Sequence, residues 1–254
     1  MVMPLYERII ALARTHARHL VEHERIDERK IRVVNNGIDT VRFHPVTEGE
    51  RSRIRTTLGI PLESFVAAIV AALRPEKNHE MFLAAASRMA ALRKDSVFLV
   101  VGDGAEAEKL HRIAGALSLG GVVRFLGRRD DVAEILAAAD ASVLCSHPVV
   151  ETFPISVLEA MACGVPVVST DVGAVREMFV DGSEGFIIPP GDGEALAAAL
   201  AALAIDPAAR RGIGERARER AVREFTVERM VRAYAELFDE MCAAGGGVTD
   251  VIAH

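Results

Sequence analysis

Between residues 65 and 188 the chain alternates short, predominantly apolar runs with longer amphipathic segments, and few folds accommodate that pattern. The apolar runs fall at 65–72, 97–101, 122–126, 141–145, 165–169 and 185–188. The segments between them repeat apolar residues at helical spacing: 79–92, 105–117, 132–139, 154–163, 174–180 and 194–203. A strand without polar alternation needs cover on both faces, and intervening helices supply it by right-handed crossovers. The pattern therefore predicts an α/β fold with a doubly wound parallel sheet. Two more helical stretches, 208–224 and 226–241, follow without another strand.

The flanks are less regular. Leu5, Ile9, Leu12, Ala13 and Leu20 recur at helical spacing, which predicts a helix over 5–21. A short apolar run at 31–34 ends in Asn35-Asn36-Gly37, read as a turn with positive φ. Residues 47–55 are charged, a linker or surface helix, and the Gly-rich stretch 243–254 reads as a disordered tail.

Composition narrows the function. The chain has 254 residues, 50% hydrophobic and 26% charged, with a net charge of −6. That balance opposes a nucleic-acid footprint, which needs a basic face. Cys145, Cys163 and Cys242 lie far apart with no Cys-x-x-Cys pair, so neither a metal cluster nor a disulfide framework is expected. The longest apolar run falls well short of the ~20 residues a bilayer requires. Charged Glu7, Arg8 and Arg14 stand where a signal peptide would be apolar. A cytoplasmic location is expected, with peripheral membrane contact at most.

In a doubly wound sheet, ligands bind beyond the carboxyl ends of the strands, so the loops after each strand are where function is sought. Gly102-Asp103-Gly104-Ala-Glu-Ala107 follows a strand and fits the dinucleotide fingerprint G-x-G-x-x-A. The next strand, however, ends in Gly127-Arg128-Arg129, without the acidic residue that would hold a ribose, so a tight turn is the plainer reading. His16, His19 and His23 share one face of the first predicted helix. Adjacent turns of one helix surround a tetrahedral ion poorly, and solvent-facing imidazoles beside Glu22 and Glu24 are expected. No metal site is assigned.

The segment 146–171 is the most informative. Pro154 suits a helix start and Gly164 its stop. Glu151 precedes that helix and Glu159 lies inside it. Free N–H groups at the helix N-terminus favour an anion such as a diphosphate, with the two carboxylates placed to take hydroxyls on either side of it. The bland alternative keeps Glu151 as a dipole partner and Glu159 as an ordinary helix residue.

At this point the chain resembles the C-terminal donor-binding domain of retaining glycosyltransferases of family 4, which have the GT-B fold. The resemblance is carried by Ile31-Arg-Val-Val-Asn-Asn-Gly37-Ile-Asp39, Leu73-Arg-Pro-Glu-Lys77-Asn-His, Val101-Gly-Asp-Gly104 and Val123-Arg-Phe125-Leu-Gly127. It continues through the Glu151-x7-Glu159 segment with Ala-Met-Ala-Cys-Gly164-Val-Pro166, then Asp171-Val-Gly173-Ala-Val-Arg-Glu177 and Gly185-Phe-Ile-Ile-Pro-Pro-Gly191. It implies a Rossmann-like half of a GT-B enzyme, with extra C-terminal helices, that transfers a sugar from a nucleotide-sugar with retention and without a metal or other cofactor. Lys77 is implied to neutralise the donor diphosphate, Glu151 to bind the transferred sugar, and Phe153 and Pro154 to lie along sugar and phosphate. Leu158 is implied near the nucleoside, Glu159 on the ribose and Phe125 at the base. Glu151 and Lys77 are thus the implied catalytic pair, and UDP- or GDP-sugars the expected donors; the acceptor, whether glycan, lipid or small molecule, is open.

The chain departs from the family where Gly-Arg-Leu is common: it has Ala71-Ala72-Leu73, so Arg74 is the candidate replacement for the missing arginine. Thr152 stands where Gly is frequent. On this reading residues 1–30 are a remnant of a preceding domain, 31–242 the donor domain and 243–254 the tail. An N-terminal GT-B domain is the expected partner of the last helix, whose Met230, Tyr234, Leu237, Phe238 and Met241 are expected to be exposed. Two rivals stand beside this reading: a non-catalytic nucleotide-sugar-binding subunit, and a carboxylate-pair glycoside hydrolase, whose carboxyls would flank a sugar groove rather than a helix N-terminus.

Overall fold

The computed structural model describes residues 7–148 and 151–245. The first elements are β1 (Ile9–Ala11), α1 (Arg14–Glu22), β2 (Ile31–Val33) and α2 (Glu48–Thr57). The regular alternation follows as β3 (Phe65–Val70), α3 (His79–Leu92), β4 (Ser96–Val101), α4 (Ala107–Ala116), β5 (Val123–Gly127), α5 (Val132–Ala138) and β6 (Ala141–Leu144). It continues with α6 (Ile155–Ala162), β7 (Val167–Thr170), α7 (Val175–Met178), β8 (Gly185–Ile188), α8 (Gly193–Ile205), α9 (Pro207–Glu224) and α10 (Val227–Gly245).

The six strands β3 to β8 form one parallel sheet in the order β5-β4-β3-β6-β7-β8. Period-two alternation sends Phe65, Ala67 and Ile69 of β3, with Phe98 and Val100 of β4, to one face, where α3, α4 and α8 cover them. Val66 and Ala68, with Val97, Leu99 and Val101, face the opposite way onto α5, α6 and α9. Both faces are dry, which is why these strands read as unbroken apolar runs. On the first face Phe82 and Phe98 meet edge to face at 5.6 Å with both rings fully buried; truncating either to alanine costs about 3–5 kcal/mol. At the amino ends of the strands, buried Asp140 accepts hydrogen bonds from Arg51, Arg55 and the Val66 N–H, and also pairs with Arg210. This knot ties α2 and α9 to the sheet.

Crossovers after β3 run to one side of the sheet and those after β6 to the other. The carboxyl ends of β3 and β6 therefore bound the crevice where an open α/β sheet takes its ligand. The loops leaving these two strands carry Lys77 and Glu151.

The N-terminal segment differs from the helix expected over 5–21. Ile9–Ala11 is a strand, paired in parallel with Ile31–Val33, and only Arg14–Glu22 is helical; Leu5 lies outside the described residues. Leu20, Ile26 and Ala11 close a small separate core under this β-α-β unit. Pairing with a distant strand, which leaves no trace in local spacing, overrides the helical periodicity. Gly37 also serves a purpose other than the positive φ expected of it. A Cβ there would lie 2.5 Å from the Thr226 carbonyl oxygen, so glycine permits the close approach of the segment entering α10. Ile38 bridges Thr226 at that crossing.

The charged stretch at 47–55 is α2, closed at its start by a reciprocal capping box between Thr47 and Glu50. Helix α10 runs through Gly245, past the expected start of the tail, and 246–254 lie outside the described residues. Its apolar face is only partly open. Leu237 is buried and the Met230 sulfur meets the Gly37 N–H, whereas Phe238 is 58% exposed. Glu240 pairs with Arg32, holding α10 beside β2.

Candidate functional site

Lys77 closes a short 3-10 turn, Pro75–Lys77, after β3, and Asn78 follows it at φ +50°. The reversal aims the lysine across the crevice. Its Nζ donates to Oε1 of Glu151 at 2.5 Å, and the Ser146 hydroxyl donates to the same oxygen at 2.6 Å. Glu151 is thus held by one residue from each of the two loops at the switch point, with its side chain 8% exposed.

The backbone around Glu151 is equally constrained. Gly173, at φ +53°, lies so close that a Cβ would fall 2.3 Å from the Glu151 carbonyl oxygen. The Ala174 N–H donates to the Thr152 carbonyl, and Asn36 donates to that of Phe153. The Phe153 ring is buried against Phe225 at 5.6 Å. Pro154 sits at the N-cap of α6 rather than within its first turn, and no side chain caps that end, so its first N–H groups remain available. Among the residues lining the resulting compartment of about 370 Å³ are Leu12, Ala71, Ala72, Lys77, Glu151 and Pro154. Helix dipole and ammonium converge there, which suits a diphosphate.

The remaining candidate residues are distributed around this centre. Glu159 is half-buried on α6, and burial raises its carboxyl above the ordinary range against the opposing pull of Arg42. Leu158 is fully buried in the core, backbone included. Phe125, half-buried on β5, packs on His111 with ring centres 4.0 Å apart and ring planes tilted by 37°. Arg74 points away, 66% exposed and 3.8 Å from Glu76, and is absent from the lining of that compartment. The Gly102 and Gly104 turn is occupied by protein. A Cβ at either would strike the Ala71 or Leu73 carbonyl oxygen, so this loop packs on the loop carrying Lys77 and leaves no cradle for a pyrophosphate. Cys163 is buried, its thiol pushed up to about 12 by desolvation and then by Glu159. No group of three or more His, Cys, Asp or Glu among the described residues is placed to hold a metal.

Ser146, Asn36 and Glu177 lie in segments that stand out in the sequence, but nothing local marks the contacts they make at the site. Glu177 accepts from the Arg14 N–H at 2.9 Å, the Thr15 N–H at 2.7 Å and the Thr15 hydroxyl at 2.8 Å. It caps α1 from a distance, since Ala13 at the N-cap offers no side-chain acceptor. Only the tertiary structure reveals this.

Fold and site together define a Rossmann-like α/β domain of the GT-B kind. Residues 50–220 match the family of glycosyl transferases group 1, and the chain belongs to that family. D-inositol 3-phosphate glycosyltransferase of Geodermatophilus obscurus is 35% identical, over 94% of this chain and 54% of the relative. N-acetyl-alpha-D-glucosaminyl L-malate synthase of Bacillus anthracis is 38% identical over 57% of this chain and 37% of its own length. Among solved structures, Anabaena HepE in complex with UDP superposes with a TM-score of 0.86 at 26% identity, covering 92% of this chain and 64% of that one. The same protein has also been solved with UDP-glucose. The chain spans a little over half the length of the D-inositol 3-phosphate glycosyltransferases it matches.

Proposed function

We propose that this chain supplies the nucleotide-sugar-binding half of a retaining, metal-independent glycosyltransferase acting in the cytoplasm. The observation that carries the reading is the meeting of Lys77, Glu151 and the open N-terminus of α6 at the β3/β6 switch point. In this reading the diphosphate lies against the α6 N–H groups and Lys77. Both stabilise the negative charge that grows on the leaving phosphate as the sugar–oxygen bond breaks. Glu151 accepts hydroxyls of the transferred sugar, and Glu159 those of the ribose. The nucleoside runs toward Phe125 at the end of β5, where the backbone rather than the ring meets the base.

The positive charge that a metal would otherwise bring comes from side chain and helix dipole. A UDP-linked donor is favoured by the UDP and UDP-glucose complexes of HepE. Family membership and the relatives' names support transfer over hydrolysis. The acceptor belongs to the part of the relatives that this chain does not span, together with the expected N-terminal partner domain. No helix among the described residues is long and apolar enough to cross a membrane.

The test is thermal unfolding with UDP-, GDP- and ADP-sugars. At 100 times the dissociation constant a ligand stabilises by about 2.7 kcal/mol, a shift of roughly 5–10 °C for a domain of this size. No shift with any donor at millimolar concentration overturns the reading.

A further inference from the structure

The crevice has a second compartment, and α1 forms its wall. About 490 Å³ lies between His16, His19 and Glu24 on one side and Glu151, Thr152 and Gly173 on the other. It shares Glu151 and Thr152 with the first compartment. The two are joined on the α1 side as well, because Leu12 lines the first while His16 lines the second. Leu12 is fixed at both backbone groups: Asn35 donates to its carbonyl at 2.7 Å, and its N–H donates to Nδ1 of His16 at 3.2 Å.

That last bond sets the imidazole. Nδ1 acts as the acceptor, so the ring's proton resides on Nε2, which makes no hydrogen bond within the protein among the described residues. Glu177 meanwhile pins the first turn of α1, so the wall is anchored rather than loosely apposed. Glu151, which carries a carboxylate acceptor, and His16, a half-buried imidazole with its donor on Nε2, thus line one space of the size that small ligands occupy. An acceptor and a donor on the lining of one chamber match a group that offers hydroxyls to both.

We infer that His16 is a binding residue for the transferred sugar, donating from Nε2 to a hydroxyl on the side of the ring away from Glu151. The inference rests on the proposed donor-binding function and adds to it a residue outside the donor domain expected from sequence. His23, exposed at the C-cap of α1, meets the ring of His19 but does not itself line this compartment, which makes it the control.

The experiment is calorimetric titration of the full chain with UDP and with UDP-glucose, for the wild type, H16A, H16Q and H23A. The H16A chain is expected to bind UDP-glucose about 3- to 10-fold more weakly, the worth of one neutral hydrogen bond, and UDP unchanged. H16Q restores part of the loss through its side-chain N–H, and H23A behaves as wild type. Equal weakening of UDP and UDP-glucose in H16A would show a merely structural role and overturn the inference. So would an unchanged preference for the sugar-bearing ligand in H16A. If the wild-type chain binds neither UDP nor UDP-glucose, nor any nucleotide-sugar in the thermal screen, the donor-binding reading itself falls, and this inference with it.

Discussion

Lys77 and Glu151 stand 74 residues apart in sequence and 2.5 Å apart in space, one on each loop that leaves the switch point of the sheet. Their pairing couples the two halves of the proposed donor site, because the ammonium that should meet phosphate is held by the carboxylate that should meet sugar. A diphosphate competes with Glu151 for Lys77, and sugar hydroxyls offer Glu151 a replacement partner.

Opposite outcomes for the two residues follow. Lys77→Ala should weaken nucleoside diphosphate and nucleotide-sugar alike, by about 10- to 150-fold, the equivalent of a charged hydrogen bond worth ~1.5–3 kcal/mol. Glu151→Ala frees the lysine, so plain diphosphate should bind as well as before or more tightly, while the sugar-bearing donor loses affinity. Titration calorimetry with the two ligands distinguishes them, and parallel losses in both variants would refute the division of roles.

Glu159 makes the interaction depend on pH. Burial raises its pKa, so the ionised form that accepts ribose hydroxyls becomes fully populated only above the usual carboxylate range. Nucleotide affinity should therefore fall as pH drops through that raised value. The free protein should respond in the reverse sense, since a raised carboxyl pKa makes folding less favourable as pH rises through the same window. Glu159→Gln should flatten the carboxylate part of the affinity profile and weaken both diphosphate and donor. Binding profiles of wild type and variant with identical pH slopes would exclude this ribose contact.

Much of the fold and of the candidate site is legible in the amino-acid sequence wherever its cause is local. The strands of the main sheet declare themselves because both faces are covered, leaving apolar runs such as Val97–Val101, and α6 is bracketed by its own Pro154 and Gly164. Features fixed by distant partners are not legible in this way. Ile9–Ala11 is a strand only because Ile31–Val33 lies beside it. Gly37 is required by Thr226, and α1 is capped by a carboxylate 162 residues away from Thr15. Asn35 and Asn36 stand out as motif residues, but local spacing gives no sign that they hold Leu12 and Phe153 at the crevice.

His79 gives the fold an acid limit. It is 2% exposed, neither ring nitrogen has a hydrogen-bond partner among the described residues, and burial, then Lys77, lowers its pKa to about 4. The unfolded chain takes up this proton near the ordinary value of about 6.5, whereas the folded chain resists it. Its contribution to stability is thus complete above that value and is lost as pH falls from there toward about 4. The loss amounts to roughly 3 kcal/mol at most. His79→Leu should be neutral or stabilising at pH 7, because it removes unsatisfied buried polar atoms, and should lessen acid sensitivity. Urea unfolding at pH 7 and pH 5 measures both; an unchanged pH slope in the variant would show that His79 is not the group responsible.

The cap supplied by Glu177 predicts a local effect. Burial pushes this carboxyl up, but the Thr15 and Arg14 N–H groups and the Thr15 hydroxyl outweigh it and hold the pKa below the usual range. The stabilisation is therefore present at neutral pH and lost as pH falls through the lowered value. Glu177→Ala should cost about 1 kcal/mol, typical of a lost N-cap and moderated by solvent screening. Hydrogen exchange should accelerate in Arg14–Glu22 while β3 to β8 stay protected. Uniform acceleration across the sheet would show that the residue supports the fold as a whole rather than α1.

Transfer itself should be slow for these residues alone. Positioning donor and acceptor in near-attack geometry supplies ~7–11 kcal/mol of barrier lowering, and the chain spans a little over half the length of its glycosyltransferase relatives. On the proposed reading its crevice takes the diphosphate, the ribose and the transferred sugar of the donor, and the acceptor is held by the part of the relatives that the chain does not span. Helix α10 presents Phe238 at 58% and Val231 at 56% exposure, an apolar edge that a partner domain would cover. A labelled-donor assay should therefore show nucleotide-sugar binding with little turnover, and activity should rise when the N-terminal domain of a GT-B relative is fused ahead of β1 or added separately. Protection of Val231 and Phe238 from solvent in that mixture would locate the contact. Turnover of about 1 s⁻¹ or more, ordinary for an enzyme, by the 254 residues alone would place an acceptor site within them and overturn the division into donor and acceptor halves.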